Sequence, residues 1–361
     1  MFAFKDALFK GSLITLTMMI LGIVIIGGLT RLTGSGLSIV EWKPVVGIFP
    51  PLTAYDWAIE FSKYQQSPEF QKINFGMTLA EFQSIFWLEY IHRLWGRLLG
   101  VVLLVPTFLM VFKKQRRNLW FPLTLLWFLG LAQGIMGWVM VKSGLLNDPR
   151  VSPYRLAAHL FLGFAIFGVA LWMSLSLFKD KLHLERIGFS QKAFQSLEKI
   201  SLIALFLVLL TAFFGALVAG LKAGLLYNTF PLMGGYLIPH EFLTQFPWWK
   251  DLLENPVSVQ FLHRLCASIT TIFCVGIWMY QRTLTIPTSL SSAFTGIAVI
   301  ALLQFSFGIL TLVLDVPIGL AALHQGFAFL LFGSFLYAIF LIHHQQDGRQ
   351  ILLSKKKVML K

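Results

Sequence analysis

The sequence predicts an all-α integral membrane protein with eight transmembrane helices, built as two tandem four-helix bundles related by a pseudo-two-fold repeat. Three observations lead to this prediction. Of the 361 residues, 57% are hydrophobic and only 12% are charged, whereas soluble domains carry roughly 25% charged residues. Several apolar runs reach the roughly 20 residues that a bilayer-spanning helix needs. Motifs of the first half also recur, in the same order, in the second half.

The apolar runs define the expected spans. The first run continues into Gly27 and Gly28 without a small-residue cleavage site, so we interpret it as a span and not as a signal peptide. Thr78 and Glu81 have the spacing of a capping box, which predicts a helix start just before the second span. The spans are expected near residues 12–30, 87–112, 119–141, 153–178, 199–220, 257–280, 292–314 and 318–342.

The distribution of positive charge predicts the orientation. Most of the 29 Lys and Arg residues fall in segments that share one side of the membrane, and that side is normally cytoplasmic. Both termini and the linker 179–198 are therefore expected inside, and the long loops 31–86 and 226–256 outside. The net charge of +13 then reflects orientation and contact with anionic lipid, so no nucleic-acid partner is expected.

An internal duplication sets the domain organisation. Residues 27–37 match 215–225 at an offset of 188, and residues 89–94 match 260–265 at an offset of 171. Residues 156–159 match 321–324, with a histidine at the same place. Chance similarity between apolar runs aligns leucines, but not His-Arg and a second histidine in order. We therefore predict an N-terminal half at 1–178, a linker at 179–198 and a C-terminal half at 199–361.

The duplication preserves four histidines, and all four lie near the outer ends of predicted spans: His92, His159, His263 and His324. Ionisable residues inside a span are costly and usually functional. Structural or catalytic zinc requires at least three protein ligands, whereas each half offers only a pair of histidines. Two histidines on separate helices suit a six-coordinate haem, so we predict axial ligation of haem iron.

Charged neighbours distinguish the two halves. Arg93 and Arg264 directly follow a histidine, and their planar guanidinium groups suit haem propionates. Glu89 lies three residues before His92, on the same helix face, but its equivalent in the second half is Gln260. An electron-carrying pair of haems does not need this asymmetry. A catalytic site in the first half beside a supporting site in the second does.

At this point the motifs resemble a known family. The segments GGLTRLTGSGLS (27–38), EYIHR (89–93) and AGLKAGLLYNTFPLMG (219–234), together with the four histidines, resemble the Cox15/CtaA family of haem A synthases over essentially the whole chain. The resemblance implies an oxidoreductase that converts the C8 methyl of haem O to a formyl group, through a hydroxymethyl intermediate, for assembly of haem-copper cytochrome oxidase. The loop 31–86 has no cysteine pair, which is similar to the Cox15-like branch.

The same resemblance implies roles for the site residues. His263 and His324 ligate a resident haem b, which is the expected cofactor. His92 and His159 flank the substrate haem O, and Glu89 and His92 are the expected catalytic residues. The implied partners are haem O and the haem O synthase, a protohaem farnesyltransferase, whereas the electron acceptor and any homo-oligomer are left open. The short N-terminus favours a bacterial inner membrane.

Two other functions are compatible with the residues alone. A di-haem b electron-transfer cytochrome and a haem carrier would both need paired histidines. The Glu89 and Gln260 asymmetry counts against the cytochrome. Haem extracted from the purified protein separates the alternatives, because an enzyme leaves haem O, haem A and their intermediate bound, whereas a cytochrome leaves haem b alone.

Overall fold

The computed structural model describes residues 2–43, 46–111, 118–145, 149–179 and 191–359. Within these ranges the chain is helical, and its β-structure is confined to an isolated bridge between Met233 and Tyr236. The α-helices are α1 (Phe2–Leu32), α2 (Ala54–Gln65), α3 (Pro68–Lys72), α4 (Leu79–Val111), α5 (Trp120–Gly144), α6 (Pro153–Ser176), α7 (Gln191–Gly220), α8 (Trp248–Glu254), α9 (Pro256–Gln281), α10 (Thr288–Val313) and α11 (Ile318–Met359).

Eight helices in the described ranges are long and apolar enough to cross a membrane: α1, α4, α5, α6, α7, α9, α10 and α11. The predicted all-α membrane architecture and the number of spans are therefore confirmed, whereas the pseudo-two-fold repeat of the two bundles stays a prediction. Most of the predicted cytoplasmic linker, residues 180–190, lies outside the described residues, as does the basic segment 112–117. The rest of the linker, from Gln191 onward, is already part of α7.

The chain divides into two compact units whose limits differ from the predicted halves. The first unit comprises Met1–Ala170, Ala219–Lys222 and Pro317–Gly326. The second comprises Leu171–Val218, Ala223–Val316 and Phe327–Lys361. The first turns of α11, which carry His324, thus belong to the first unit. The sequence repeat alone does not indicate this exchange of segments.

Close packing of α1 against α4 dominates the first unit. A Cβ atom at Gly22 would lie 3.0 Å from the Trp95 ring, and the Trp95 indole N–H donates to the Met19 carbonyl at 2.8 Å. Small residues allow helices to approach closely in a membrane, where van der Waals packing drives their association. This packing holds the histidine-bearing part of α4 beside the end of α1.

The segment between α1 and α4 forms a small core of its own. The predicted capping box is confirmed, since Glu81 accepts from the Thr78 N–H and the Thr78 hydroxyl accepts from the Glu81 N–H. A second capping box, at Thr53 and Asp56, begins α2. The aromatic core consists of Tyr64, Phe70, Phe82, Phe86 and Tyr90 and fastens α2 and α3 to the start of α4.

A buried acid lies within this aromatic core. Glu69 is only 7% exposed, and it accepts a hydrogen bond from the Tyr64 hydroxyl at 3.2 Å. The Asn74 amide in turn donates to the Tyr64 hydroxyl at 2.7 Å. Burial raises the pKa of Glu69 to about 7, even though the hydrogen bond from Tyr64 opposes the change, and the charge of Glu89 adds to it.

This pKa predicts a pH-dependent stability. Because the folded pKa exceeds the reference value of 4.5, the contribution of Glu69 is complete below about pH 4.5 and is lost as the pH rises through about 7. We expect Glu69→Gln to stabilise the protein at pH 8 by on the order of 1–3 kcal/mol and to have little effect at pH 4.5. Melting curves in detergent across this range measure the difference. An unchanged pH dependence in the variant would contradict the assignment.

In the second unit, a buried aspartate organises the loop before α9. Asp251 is fully buried and accepts from the backbone N–H groups of Leu243 and Gln245 and from the side chains of Asn255 and Ser258. Burial alone would raise the pKa of Asp251, but these hydrogen bonds lower it. Asn255 also caps α9 by accepting from the Val257 N–H. The loop therefore fixes the start of α9 and, with it, the position of His263.

Candidate functional site

Glu89 on α4 is the centre of a hydrogen-bond network in the first unit. The Oε1 atom of Glu89 accepts from Arg93 Nε at 3.0 Å and from Arg93 Nη2 at 2.6 Å. The Oε2 atom accepts from the Ser38 hydroxyl at 2.7 Å and from the Ile39 N–H at 2.8 Å. The residue is only 2% exposed. Four donors thus surround one buried carboxylate and fix its orientation.

Arg93 extends this network to the loop that follows α1. Its guanidinium group donates to the Ile39 carbonyl at 2.8 Å and to the Glu41 carbonyl at 3.0 Å. Arg97, one turn further along α4, donates to the Lys43 carbonyl at 2.9 Å. Glu89, Arg93 and Arg97 therefore hold residues 38–43 against α4.

The second unit repeats part of this arrangement. Arg264 on α9 donates to the Tyr227 and Thr229 carbonyls, which are the sequence equivalents of the Ile39 and Glu41 carbonyls at the offset of 188. Gln260 donates to the Tyr227 carbonyl at 3.1 Å. The two arginines predicted to bind propionates are thus both engaged with backbone carbonyls, and any propionate has to share them.

His92 on α4 faces a glycine of α1. A Cβ atom at Gly27 would lie 3.1 Å from His92 Nε2, which is closer than nearly all real Cβ contacts. Gly27 therefore lets the His92 ring pack directly against the backbone of α1. This glycine opens the GGLTRLTGSGLS segment, and the close approach gives a physical reason for a small residue at that position.

His159 on α6 belongs to the same unit and interacts electrostatically with His92. Its Nε2 atom lies 3.1 Å from the Gln133 amide nitrogen on α5. His159 Nδ1 and Gln133 Oε1 are both buried without a hydrogen-bond partner. A Cβ atom at Gly137, one turn after Gln133, would lie 3.4 Å from His159 Cε1. The His159 ring thus packs against a glycine and lies beside polar atoms without a hydrogen-bond partner.

His263 on α9 has the orientation of a metal ligand. Its Nδ1 atom lies 3.0 Å from the Thr211 carbonyl on α7, and because a carbonyl only accepts, Nδ1 carries the proton. Nε2 is then the nitrogen with the lone pair. An imidazole that donates its second N–H to a carbonyl is the usual arrangement of metal-bound histidine. A Cβ atom at Gly215 would lie 3.0 Å from His263 Cε1, so a glycine again lets the ring pack closely against a neighbouring helix.

His324 lies in the first turns of α11, in the segment that belongs to the first unit. The next residue, Gln325, donates its amide to the Val24 carbonyl on α1 at 2.9 Å. Gly28 leaves room for this amide, because a Cβ atom there would lie 2.7 Å from Gln325 Oε1. The start of α11 is thereby attached to α1, the helix whose Gly27 faces His92.

Comparison with known proteins identifies the family. A family model described as "Cytochrome oxidase assembly protein", COX15-CtaA, matches residues 11–336. The chain belongs to this family. It is 43% identical over 320 residues to a haem A synthase of Nitrosospira multiformis, covering 88% of this chain and 89% of the relative. It is 46% identical over 308 residues to a haem A synthase of Paramagnetospirillum magneticum, covering 85% and 86%. A haem A synthase of Rickettsia akari is 43% identical over 327 residues, covering 90% and 95%.

The histidine surroundings fit the haem that this family implies. His263 places one ring nitrogen against the Thr211 carbonyl, as metal-bound histidines usually do, and Gly27, Gly137 and Gly215 let three of the imidazole rings pack closely against neighbouring helices. The described residues contain no group of three or more His, Cys, Asp or Glu side chains that could hold a bare metal ion. Paired imidazoles remain suited to an iron whose other four ligands come from a porphyrin.

Several residues of the site were not predicted. Ser38 and the Ile39 N–H bind Glu89, and Gln133 contacts His159. Ser38 ends the GGLTRLTGSGLS segment, and Gln133 recurs as Gln304 at the offset of 171. Both signals were present in the sequence, but neither indicates which histidine or acid the residue contacts.

Proposed function

We propose that this chain is a haem A synthase, an oxidoreductase that converts the C8 methyl of haem O to the formyl group of haem A for haem-copper oxidase assembly. The observation that carries the proposal is the similarity to haem A synthases over most of the chain. The structure adds an acid, Glu89, on the same helix face as His92, and a neutral amide, Gln260, at the equivalent place. This asymmetry favours one reacting half and one supporting half over a di-haem cytochrome or a carrier.

The N-terminal half is the proposed reacting half. His92 and His159 belong to the same compact unit, which supports their placement on either side of the substrate haem O. Movement of Gln133 away from His159 Nε2 would release that nitrogen for iron, because the amide now lies 3.1 Å from it.

The C-terminal half is the proposed site of a resident haem b held by His263 and His324. The Thr211 carbonyl supports this role for His263, because it directs the proton to Nδ1 and the lone pair to Nε2. When bound, haem b supplies electron transfer. His263 holds its position through Thr211 and Gly215, and the start of α11 is held by the contact of Gln325 with α1.

Glu89 is the proposed proton acceptor of the reaction. Oxidation of a methyl to a formyl group releases protons, and a carboxylate near the reacting carbon can accept one or stabilise positive charge. All four of its hydrogen bonds come from donors, so a proton displaces one of them. The Ser38 hydroxyl is the donor that can rotate away without moving the backbone. Orientation of the 38–41 segment is the competing role for Glu89.

The proposed setting is a bacterial inner membrane with both termini in the cytoplasm. The eight apolar helices make the chain a multi-pass membrane protein. The charge distribution supports the orientation, because most Lys and Arg residues fall on the predicted inner side. Haem O is the proposed substrate, and haem O synthase is the proposed supplier of it.

Topology reporters test the orientation. A reporter that is active only in the periplasm should give a signal when fused within 31–86 or 226–256 and none when fused at either terminus or within 179–198. The charge bias is the physical reason for this expectation. A periplasmic signal from the 179–198 segment would reverse the orientation.

The resident-haem assignment predicts a specific loss of absorbance. His263→Ala and His324→Ala should each remove most of the low-spin haem b spectrum of the purified protein. Gly215→Ala should weaken it, because the new Cβ atom meets the His263 ring at 3.0 Å. Gly276→Ala, on the same helix as His263 but with open space at its Cβ position, is the matched control and should bind haem normally. Full haem retention in both histidine variants excludes them as ligands.

Glu89→Gln separates proton transfer from orientation. Gln preserves the size and can still accept hydrogen bonds, and the second half already folds with Gln260 at this position. We expect the variant to bind haem and to form haem A about 100-fold more slowly or worse, leaving haem O or the hydroxymethyl compound. Extraction and chromatography of the bound haems provide the measurement. Normal haem A at a normal protein level would show that Glu89 is structural.

A further inference from the structure

The two arginines of the repeat differ in their counter-ions. In the first unit, Arg93 forms a buried ion pair with Glu89, with 2.6 Å between Nη2 and Oε1. Arg93 Nε donates to the same oxygen at 3.0 Å. The side chains are only 17% and 3% exposed. The positive charge of Arg93 is therefore balanced within the protein itself.

The equivalent pair in the second unit, Gln260 and Arg264, leaves buried polar atoms without partners. Gln260 Oε1 and Arg264 Nε are both buried, and neither has a hydrogen-bond partner. They are the sequence equivalents of Glu89 Oε1 and Arg93 Nε, which bond to each other in the first unit. None of the ion pairs among the described residues includes Arg264. The exposed carboxylate of Glu241 binds the Tyr227 hydroxyl instead. Arg264 keeps its contacts to the loop carbonyls, so the arginine is positioned but its charge is not balanced.

Arg264 is half-buried, and its buried, unused Nε–H is costly unless an anion completes it. Haem carries two propionate carboxylates, and a carboxylate is the acceptor that the guanidinium fork prefers. On the basis of the proposed function, we propose that a propionate of the resident haem is the counter-ion of Arg264, and that Glu89 fills the same place for Arg93. The choice of acid or amide at this one repeated position then distinguishes a retained haem from an exchangeable one.

This difference matches what each half has to do. A cofactor must stay through many turnovers, and a buried charged hydrogen bond slows its loss. A substrate has to enter and its product has to leave in every cycle, so strong propionate binding in the first half would hinder turnover. Because Glu89 is already bound to Arg93, a propionate in the first half obtains less binding free energy from this arginine. The internal acid keeps the reacting half from holding its product tightly.

The test combines a substitution with a chemical change in the haem. Purified full-length protein is loaded with haem b or with haem b dimethyl ester, which lacks the propionate charges, and release to apomyoglobin is followed by absorbance. In the unmodified chain, esterification should speed release from the low-spin site about tenfold. In Gln260→Glu, where the new acid takes up Arg264, haem b itself should leave about tenfold faster and esterification should add little. Glu89→Gln should make a haem in the first half leave more slowly.

The interpretation depends on the coupling between the two changes. Independent, additive effects of Gln260→Glu and esterification would overturn the counter-ion proposal, as would unchanged release in both. A melting temperature of Gln260→Glu close to that of the unmodified chain shows that faster release is not unfolding. Haem release does not require haem O oxidation, so coupling in a chain that forms no haem A would support the counter-ion and refute only the enzymatic role. Haem A formation without coupling would support the enzymatic role and refute the counter-ion proposal.

Discussion

The arrangement of both halves depends on satisfying backbone carbonyls where the chain leaves a membrane helix. Non-helical backbone near a membrane has few water molecules to bind, so the protein has to supply partners. Here arginines supply them. Arg93 binds the carbonyls of Ile39 and Glu41, Arg264 binds those of Tyr227 and Thr229, and Arg31 binds the Ala219 carbonyl near the end of α7 at 3.0 Å. Because Arg93 and Arg264 directly follow histidines, the loops and the imidazoles are positioned by the same turns of helix.

This constraint explains why one acid can have so large an effect. Once the guanidinium groups are committed to loop carbonyls, the only freedom left is in their remaining N–H groups. Glu89 uses those of Arg93, and Gln260 leaves the Nε of Arg264 without a partner. The same scaffold therefore carries two electrostatic states, and the difference needs no change in backbone path. Duplication followed by one exchange of acid and amide is a simple route to two unlike sites.

Much of the fold was predictable because membrane spans and repeats depend on composition and order alone. The eight spans, the capping box at Thr78 and the family followed from those signals. The limits of the compact units did not follow from those signals. The repeat assigns His324 to the second half, whereas its segment belongs to the first unit. That outcome depends on contacts such as Gln325 with Val24, and no local pattern encodes which distant carbonyl an amide will meet. For the same reason, Arg93 was recognised as an anion-binding residue while its partners Ile39 and Glu41 were not.

The partner of each imidazole also determines how the two sites tolerate sequence change. His263 is oriented by a main-chain carbonyl at Thr211, and that carbonyl is present whichever side chain stands at position 211. His159 contacts the side chain of Gln133, which a single substitution removes. The orientation of His263 is thus protected against drift at its contact residue, whereas that of His159 is open to tuning. In a duplicated protein, the half with the backbone partner can stay constant while the half with the side-chain partner acquires new chemistry.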